Sequence, residues 1–264
     1  MTSSAAHHDP ANNITADQTA PRSRNIVRPL PVNISVITPA LGDQLSVSQT
    51  RYIVDVLRRG GVVWFYSDCS YAIGVDPRHP TGIRALDALL DHAGHPIPLT
   101  AADETLAATL IRFDVRVRAL TAKFWPGGLG IHTKPISRLA RRIAKNVHGT
   151  DGVVVRVSQS VIERQISATA RLPITSAAVR DRNGLVTDPE YALDLALHLT
   201  EERTPGVTTI FIRDPRKKPR LRAHSTMISV GKQNLTVLRH GSVDVHDAQR
   251  AALSNHGVDW SDAT

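Results

Sequence analysis

The chain of 264 residues can form one large domain or two small ones, and an apolar content of 41% excludes a wholly disordered, collagenous or coiled-coil chain. A single cysteine, Cys69, excludes an internal disulfide framework and a cysteine-based zinc knuckle. The formal charge of +8 permits phosphate-rich partners such as nucleotides or RNA, without naming one.

Residues 1–32 are predicted to be a disordered leader, because Ser, Thr, Asn, Pro and His dominate them and almost nothing can be buried. An expression scar followed by a linker is the alternative. The segment has no apolar core of a secretory signal, and no apolar run in the chain approaches the ~20 residues that span a bilayer. We expect a cytoplasmic protein with an ordered domain over 33–250 and a C-terminal tail over 251–264.

The first half of the chain alternates short apolar runs with amphipathic stretches. Apolar residues at helical spacing across 46–59, an N-cap at Ser46 or Ser48 and a stop at Gly60-Gly61 predict a helix. Strands are predicted over 33–37 and 61–66, and further helices over 81–92, 102–111 and about 114–124. The polar loop 67–70 directly follows the second strand, and ligands of α/β proteins bind at such strand ends.

The second half continues the alternation after a turn-rich segment at 125–130. Strands are predicted over 153–157, 172–178, 207–212, 225–230 and 235–238, and helices over 160–170 and 188–199, with a basic helix or lid at 134–148. Helices alternate with strands throughout, and one hairpin-like pair lies near the end. This order predicts an α/β fold: a single three-layer domain with a twisted mixed sheet flanked by helices.

Standard phosphate-cradling motifs are absent from the sequence, which has neither a P-loop nor a G-x-G-x-x-G that opens a suitable helix. The Gly-rich segment 127–130 is typical of a turn. Cys69 stands in the loop after a strand, as a nucleophile could, but no histidine near it in sequence is placed as its base.

Twelve histidines raise the question of a metal site. His92 and His95 lie near a predicted helix end at spacings that suit metal ligands. No convincing second pair completes a site of three or four ligands, and His92 alone is typical of a helix C-terminus favoured by the helix dipole. We therefore expect no bound metal.

Two basic runs account for the net positive charge of the chain. Residues 134–148 contain five cations and no acid, and residues 213–222 contain six cations and one acid, so the remaining chain is nearly neutral. Arginine forks in these runs could contact phosphates, and a solvated surface is the alternative. Few aromatic residues interleave with them, which disfavours stacking on single-stranded bases.

Four segments, in order, resemble the motifs of the YrdC-like family of threonylcarbamoyl-AMP synthases. They are 59–76, 124–127, 155–157 with 172–177, and 225–230 with 237–241. The resemblance extends over about residues 47–243. It implies the YrdC-like fold and the condensation of threonine, bicarbonate and ATP into threonylcarbamoyl-adenylate, the activated donor for tRNA adenosine modification.

The resemblance also implies site residues. Ser67, Asp68 and Tyr71 would contact the amino-acid substrate, and Asp68 would also be catalytic. The implied nucleotide-binding residues are Arg156, Thr175, Ser176, Ser225, Thr226 and Arg239. ATP with Mg²⁺ would enter as substrate, and no tightly bound cofactor is expected.

The chain departs from the family motifs at three places. Ala93 and His95 stand where the family has the lysine and arginine of its Lys-x-Arg motif, and Ala178 replaces the asparagine of the TSAN motif. A phosphoryl transition state needs cations placed in advance. We therefore expect either His95, once protonated, or an arginine from a basic run near Ser176 and Arg239, to act in their place.

These observations lead to one favoured function and one alternative. The favoured function is formation of a carbamoyl-adenylate from ATP, bicarbonate and threonine or another small amino acid. The alternative is a degenerate, non-catalytic homologue that binds nucleotide or RNA. In either case tRNA or RNA could contact 134–148 and 213–222, and the chain would act as a monomer or homodimer without a membrane.

Overall fold

The computed structural model describes residues 33–40, 42–90, 97–148, 152–213, 223–232, 234–253 and 259–262. In its first half the elements are β1 Ile34–Ile37, α1 Val47–Arg58, β2 Val62–Tyr66, β3 Tyr71–Gly74, α2 Pro80–Leu89, β4 Leu99–Ala101, α3 Glu104–Ala107, α4 Val115–Phe124 and β5 Leu129–Thr133. The remaining elements are α5 Arg138–His148, β6 Val153–Val157, α6 Val161–Ala170, β7 Ile174–Thr175, β8 Ala177–Ala178, β9 Arg180–Asp181, β10 Gly184–Leu185, α7 Pro189–Arg203, β11 Thr209–Ile212, β12 Thr226–Val230, β13 Asn234–Arg239, α8 Val245–Leu253 and β14 Asp259–Asp262.

The strands form two larger mixed sheets and one small hairpin. One sheet has the order β1-β11-β2-β3-β8, and the other has the order β14-β13-β12-β5-β6-β4-β7, while β9 pairs with β10. In the first sheet β1, β11 and β2 are parallel, and β3 and β8 run antiparallel to their neighbours. The predicted α/β class with mixed sheets flanked by helices is confirmed, although the strands divide between two larger sheets instead of one.

Helix α1 shows how local sequence sets an element's limits. The Ser46 hydroxyl accepts a hydrogen bond from the Gln49 amide, and the Gln49 side chain accepts one from the Ser46 amide, which completes a capping box. Ile53, Val54, Val56 and Leu57 form its buried face. Gly60 then adopts a φ of 84°, a left-handed conformation that suits glycine and ends the helix where the sequence predicts.

A shorter helix and a missed strand are differences between the predicted elements and the structure. Helix α3 spans only Glu104–Ala107, although the sequence predicted a helix over 102–111. Strand β3 was missed, because the chain reverses through only four residues, 67–70, and pairs back antiparallel to β2. Residues 1–32, like His92 and His95, lie outside the described residues, so the leader and the histidine predictions stay predictions.

The segment predicted as one strand over 172–178 is divided between the two larger sheets. Strand β7 pairs with β4 in the seven-stranded sheet, and β8 pairs with β3 in the five-stranded sheet. Ser176 lies between them, and its backbone amide donates to the carbonyl of Pro98. This crossing point brings residues of both sheets together, and the polar cluster described next is built around it.

Candidate functional site

A buried arginine organises the polar residues between the two larger sheets. Arg156 belongs to β6, in which every residue is buried, and is only 4% exposed. Its Nη1 donates to Asp68 Oδ2 at 2.6 Å. Its Nη2 lies 2.7 Å from the Ser67 hydroxyl and 3.1 Å from the Ser176 hydroxyl. The Arg156 guanidinium therefore joins strand β6 to the loop after β2 and to the crossing point at Ser176.

Glu163 adds a second carboxylate to this cluster. It lies on α6 and is fully buried. Each of its two carboxylate oxygens accepts a hydrogen bond from Arg156 Nη2 at 3.2 Å. The hydroxyls of Ser67 and Ser176 both donate to Glu163 Oε1. Each serine therefore accepts from Arg156 and donates to Glu163, and the cluster closes on itself.

Asp68 connects the same loop to the start of α6. Its Oδ1 accepts hydrogen bonds from the Ser158 hydroxyl at 2.8 Å and the Ser160 backbone amide at 3.0 Å. Ser160 is the N-cap residue of α6, and a carboxylate at a helix N-terminus is favoured by the helix dipole. Both oxygens of Asp68 thus have donors, so the carboxylate fixes the loop against the helix.

Burial and opposite charges act against each other on the pKa values within the cluster. Burial alone would lower the pKa of Arg156, but the carboxylates of Glu163 and Asp68 outweigh it and raise that pKa above its ordinary value. Burial raises the pKa of Glu163, and the Arg156 guanidinium opposes that shift. Arg156 is therefore a permanent cation whose charge is balanced by carboxylates inside the protein.

Arg239 presents the opposite situation. It ends β13, and its guanidinium donates to the Ser225 carbonyl at 3.0 and 2.9 Å and to the Ser225 hydroxyl at 2.9 Å. Within the described part of the chain, no carboxylate lies within ion-pair distance of it. Burial, then the charges of Arg156 and Arg180, lower its pKa to about 10. It remains a cation at neutral pH, and no carboxylate among the described groups balances its charge.

Three other predicted site residues are held by contacts that support the fold. The Thr175 hydroxyl accepts from the Val75 amide at 2.9 Å, and the Thr226 hydroxyl donates to the Val243 carbonyl at 2.7 Å. The Tyr71 ring is fully buried and stacks on Phe211 with a centroid distance of 5.2 Å. Their assigned ligand contacts stay predictions.

The Cys69 thiol has the surroundings of an inert residue. It is 8% exposed, and burial raises its pKa, although Arg156 acts against that shift. A raised pKa keeps the thiol protonated at neutral pH, and a protonated thiol is a poor nucleophile. These surroundings disfavour a role for Cys69 as a nucleophile.

The two basic runs differ in how much the structure shows. In α5 the side chains of Arg138, Arg141, Arg142 and Lys145 are exposed, as is Lys134 before the helix. No carboxylate of the described ranges forms an ion pair with any of these five. Of the second run only Arg213 is described, and it pairs with Glu190 at 3.0 Å. Among the described residues, the cations that act on Arg239 are Arg156 and Arg180, which belong to neither run.

Sequence reasoning missed Glu163, Ser158 and Ser160. A signal for Glu163 existed, since it lies three and four residues before Ile166 and Ser167 and shares their buried face of α6. A charged residue on a buried helix face needs a partner, and Arg156, seven residues before it on the preceding strand, is the one that the structure supplies. Ser158 and Ser160 carried no such signal, because polar residues before a helix are common caps.

Two searches of the described residues are negative. No described helix has both the length and the apolar character that a membrane crossing requires. The same residues contain no group of three or more His, Cys, Asp or Glu side chains that could hold a metal ion.

Comparison with solved structures identifies the fold. A double variant of Sua5 from P. abyssi matches with a TM-score of 0.68 and 16% identity, covering 86% of this chain and 62% of that chain. P. abyssi Sua5 complexed with L-threonine matches with a TM-score of 0.64, 18% identity and the same coverages. E. coli YciO matches with a TM-score of 0.64 and 19% identity, covering 80% of this chain and 97% of that chain. The described chain thus has the fold of Sua5 and YciO, and it spans less than two thirds of the Sua5 chain.

A comparison with family models identifies the family. The model described as Sua5_yciO_yrdC, telomere recombination, matches residues 55–241, which is well over half of the chain. No curated protein matches the chain. The chain belongs to the Sua5/YciO/YrdC family, as the motif resemblance predicted.

The Asp68–Arg156 pair generates a stability prediction. Asp68→Asn leaves a buried guanidinium with less negative charge around it, and we expect unfolding to become easier by about 3–5 kcal/mol. Asp55→Asn is the control, because the Asp55–Arg58 pair is more than half exposed at both ends, and exposed pairs contribute about 0–1 kcal/mol. Urea unfolding of both variants measures the difference, and equal stabilities would contradict a structural role for the buried pair.

Proposed function

We propose that this chain is a threonylcarbamoyl-AMP synthase-type enzyme that forms a carbamoyl-adenylate from ATP, bicarbonate and a small amino acid. Family membership and the fold support the general kind of enzyme. The similar Sua5 of P. abyssi was solved in complex with L-threonine, which makes threonine the first amino acid to test. ATP enters with Mg²⁺ as a substrate.

The observation that carries this proposal is the cation of Arg239. A partly buried guanidinium that, among the described residues, donates only to the oxygens of Ser225 is costly unless a negative charge reaches it. A nucleotide phosphate supplies such a charge, and arginine forks suit phosphate oxygens. Arg239 would therefore hold the phosphates and stabilise the charge that develops during phosphoryl transfer.

Arg156 and Asp68 have a different part in this proposal. Their charged groups already hydrogen-bond to each other and to Ser158, Ser160 and Glu163. A carboxylate whose two oxygens are both engaged is poorly placed to take a proton from substrate. Asp68 would act as a positioning residue that holds the loop 67–70, instead of the catalytic group that the family resemblance implies.

The second candidate function is a non-catalytic homologue that binds RNA. The exposed cations at 138, 141, 142 and 145 favour it, because their spacing places them along α5 while Ala140, Ile143 and Ala144 face the core. Like charges at this spacing destabilise a helix, and a row of phosphates would relieve that repulsion.

The enzyme assay separates the two functions. Purified protein is incubated with ATP, Mg²⁺, bicarbonate and threonine, and then with other small amino acids. Pyrophosphate release and the adenylate product, followed by mass spectrometry, are the expected result. ATP binding without pyrophosphate for any amino acid would contradict the enzyme and favour the non-catalytic homologue.

Arg239→Ala tests the nucleotide contact. Losing a charge-assisted hydrogen bond costs about 1.5–3 kcal/mol, so we expect the Kd for ATP to rise roughly 10- to 150-fold. The Kd of Arg239→Lys for ATP should fall between those of the wild type and Arg239→Ala, because lysine keeps the charge and loses the forked geometry of the guanidinium. Arg51→Ala, an exposed arginine of α1, is the control. Isothermal titration of folded variants gives the values, and an unchanged Kd for Arg239→Ala would place the nucleotide elsewhere.

The α5 cations generate a separate prediction for RNA. The triple change of Arg138, Arg141 and Arg142 to Gln should weaken binding of a structured RNA. It should also reduce the slope of log Kd against log salt by about 2–3, since each phosphate contact contributes about one unit. A matched change of the exposed Arg51, Arg59 and Arg84 to Gln should leave the slope nearly unaltered. Equal slopes for both triple variants would remove α5 as the contact.

A further inference from the structure

We propose that Glu163 acts as an internal anion: its carboxylate fills an oxyanion-binding cage formed by Arg156, Ser67, Thr100 and Ser176, and thereby excludes small carboxylates and bicarbonate from it. The cage includes Arg156, whose charge acts on the Arg239 of the proposed function, and only the catalytic consequence of this inference rests on that function.

The geometry is that of an oxyanion site. Glu163 Oε1 lies 3.1 Å from the Ser67 hydroxyl, 3.5 Å from the Thr100 hydroxyl and 3.2 Å from Arg156 Nη2, and Ser176 donates to the same oxygen. These donors come from four separate parts of the chain, namely the loop after β2, strand β4, strand β6 and the crossing point between β7 and β8. Donors that converge on one oxygen from several directions are the means by which proteins hold oxyanions.

The donors that converge on Glu163 are already in use. A serine hydroxyl has a single hydrogen to donate, and Ser67 and Ser176 each give theirs to Glu163. Arg156 uses Nη1 on Asp68 and Nη2 on the serines and Glu163, while its buried Nε has no partner among the described residues. An incoming carboxylate or bicarbonate would therefore have to displace Glu163 from these donors, and would meet the buried carboxylates of Asp68 and Glu163.

Glu163 therefore determines where a ligand's negative charge can bind. While Glu163 fills the cage, Arg239 is the cation in this region of the described structure that no carboxylate balances, and Arg180 lies close enough to lower its pKa. A phosphate or bicarbonate would bind on the Arg239 and Ser225 side and not at Arg156. Glu163 is thus a specificity-determining residue, although in the closed cage it touches no ligand.

Opening the cage tests the inference without any activity assay. Glu163→Ala removes the carboxylate, leaves a cavity of matching chemistry and leaves Arg156 short of one negative charge. Added sodium acetate or formate should fill the cavity and raise the melting temperature of this variant by several degrees in a saturable way. Sodium chloride at equal ionic strength should not. The wild type should melt at the same temperature in both salts, because its cage is occupied.

Two controls make the test specific. Glu104→Ala removes an exposed carboxylate of α3 and should show no difference between acetate and chloride. Adding Arg156→Met to Glu163→Ala removes the cation, and the acetate effect should disappear. Equal melting temperatures of Glu163→Ala in acetate and chloride would overturn the inference, as would an acetate effect on the wild type of the same size.

A second variant decides the matter if Glu163→Ala does not fold in either salt. Glu163→Gln keeps the shape of the side chain and removes its charge. A melting temperature several degrees below wild type supports the requirement for an anion in the cage, and an unchanged melting temperature overturns it. Neither outcome alters the ATP affinity measured for the wild type, so this inference and the proposed function fail separately.

Discussion

The buried guanidinium of Arg156 is the constraint on which the rest of the site depends. A cation removed from water is tolerated only when charged and hydrogen-bonding partners surround it. Those partners are Asp68 from the loop after β2, Glu163 from α6, and the hydroxyls of Ser67 and Ser176. Because these partners belong to three different parts of the chain, pairing one arginine fixes the loop, the helix and the crossing point relative to strand β6.

This requirement also explains the order of elements around the site. Strand β2 ends where the polar loop begins, and Asp68 in that loop accepts from Ser158 and from Ser160, the N-cap residue of α6. Ser176 marks the point where the chain leaves the seven-stranded sheet for the five-stranded one. The two sheets are therefore joined through polar contacts at one end, while apolar clusters that include Leu99 and Trp64 fill the core elsewhere.

Sequence patterns predicted elements whose limits are set locally and missed those set by distant contacts. The N-cap at Ser46 or Ser48, the buried strand at 62–66 and the valines of β6 were all readable, because neighbours in sequence determine them. The division of 172–178 into two strands was not readable, since pairing with β4 and β3 decides it. The family motifs led to Arg156, Ser176 and Asp68, but their mutual contacts, and the part of Glu163, depend on the folded arrangement.

The two arginines of this site show that position, and not residue type, decides which cation serves a ligand. Burial lowers the pKa of both, yet the carboxylates of Glu163 and Asp68 reverse the shift at Arg156, while at Arg239 the charge of Arg156 adds to it. A negatively charged ligand gains little binding free energy from an arginine whose charge is already balanced by carboxylates. It gains more from one whose charge is opposed by its surroundings, because binding there relieves an existing repulsion. Within the described site, the electrostatics therefore point toward Arg239 and away from Arg156, even though both arginines belong to the family motifs.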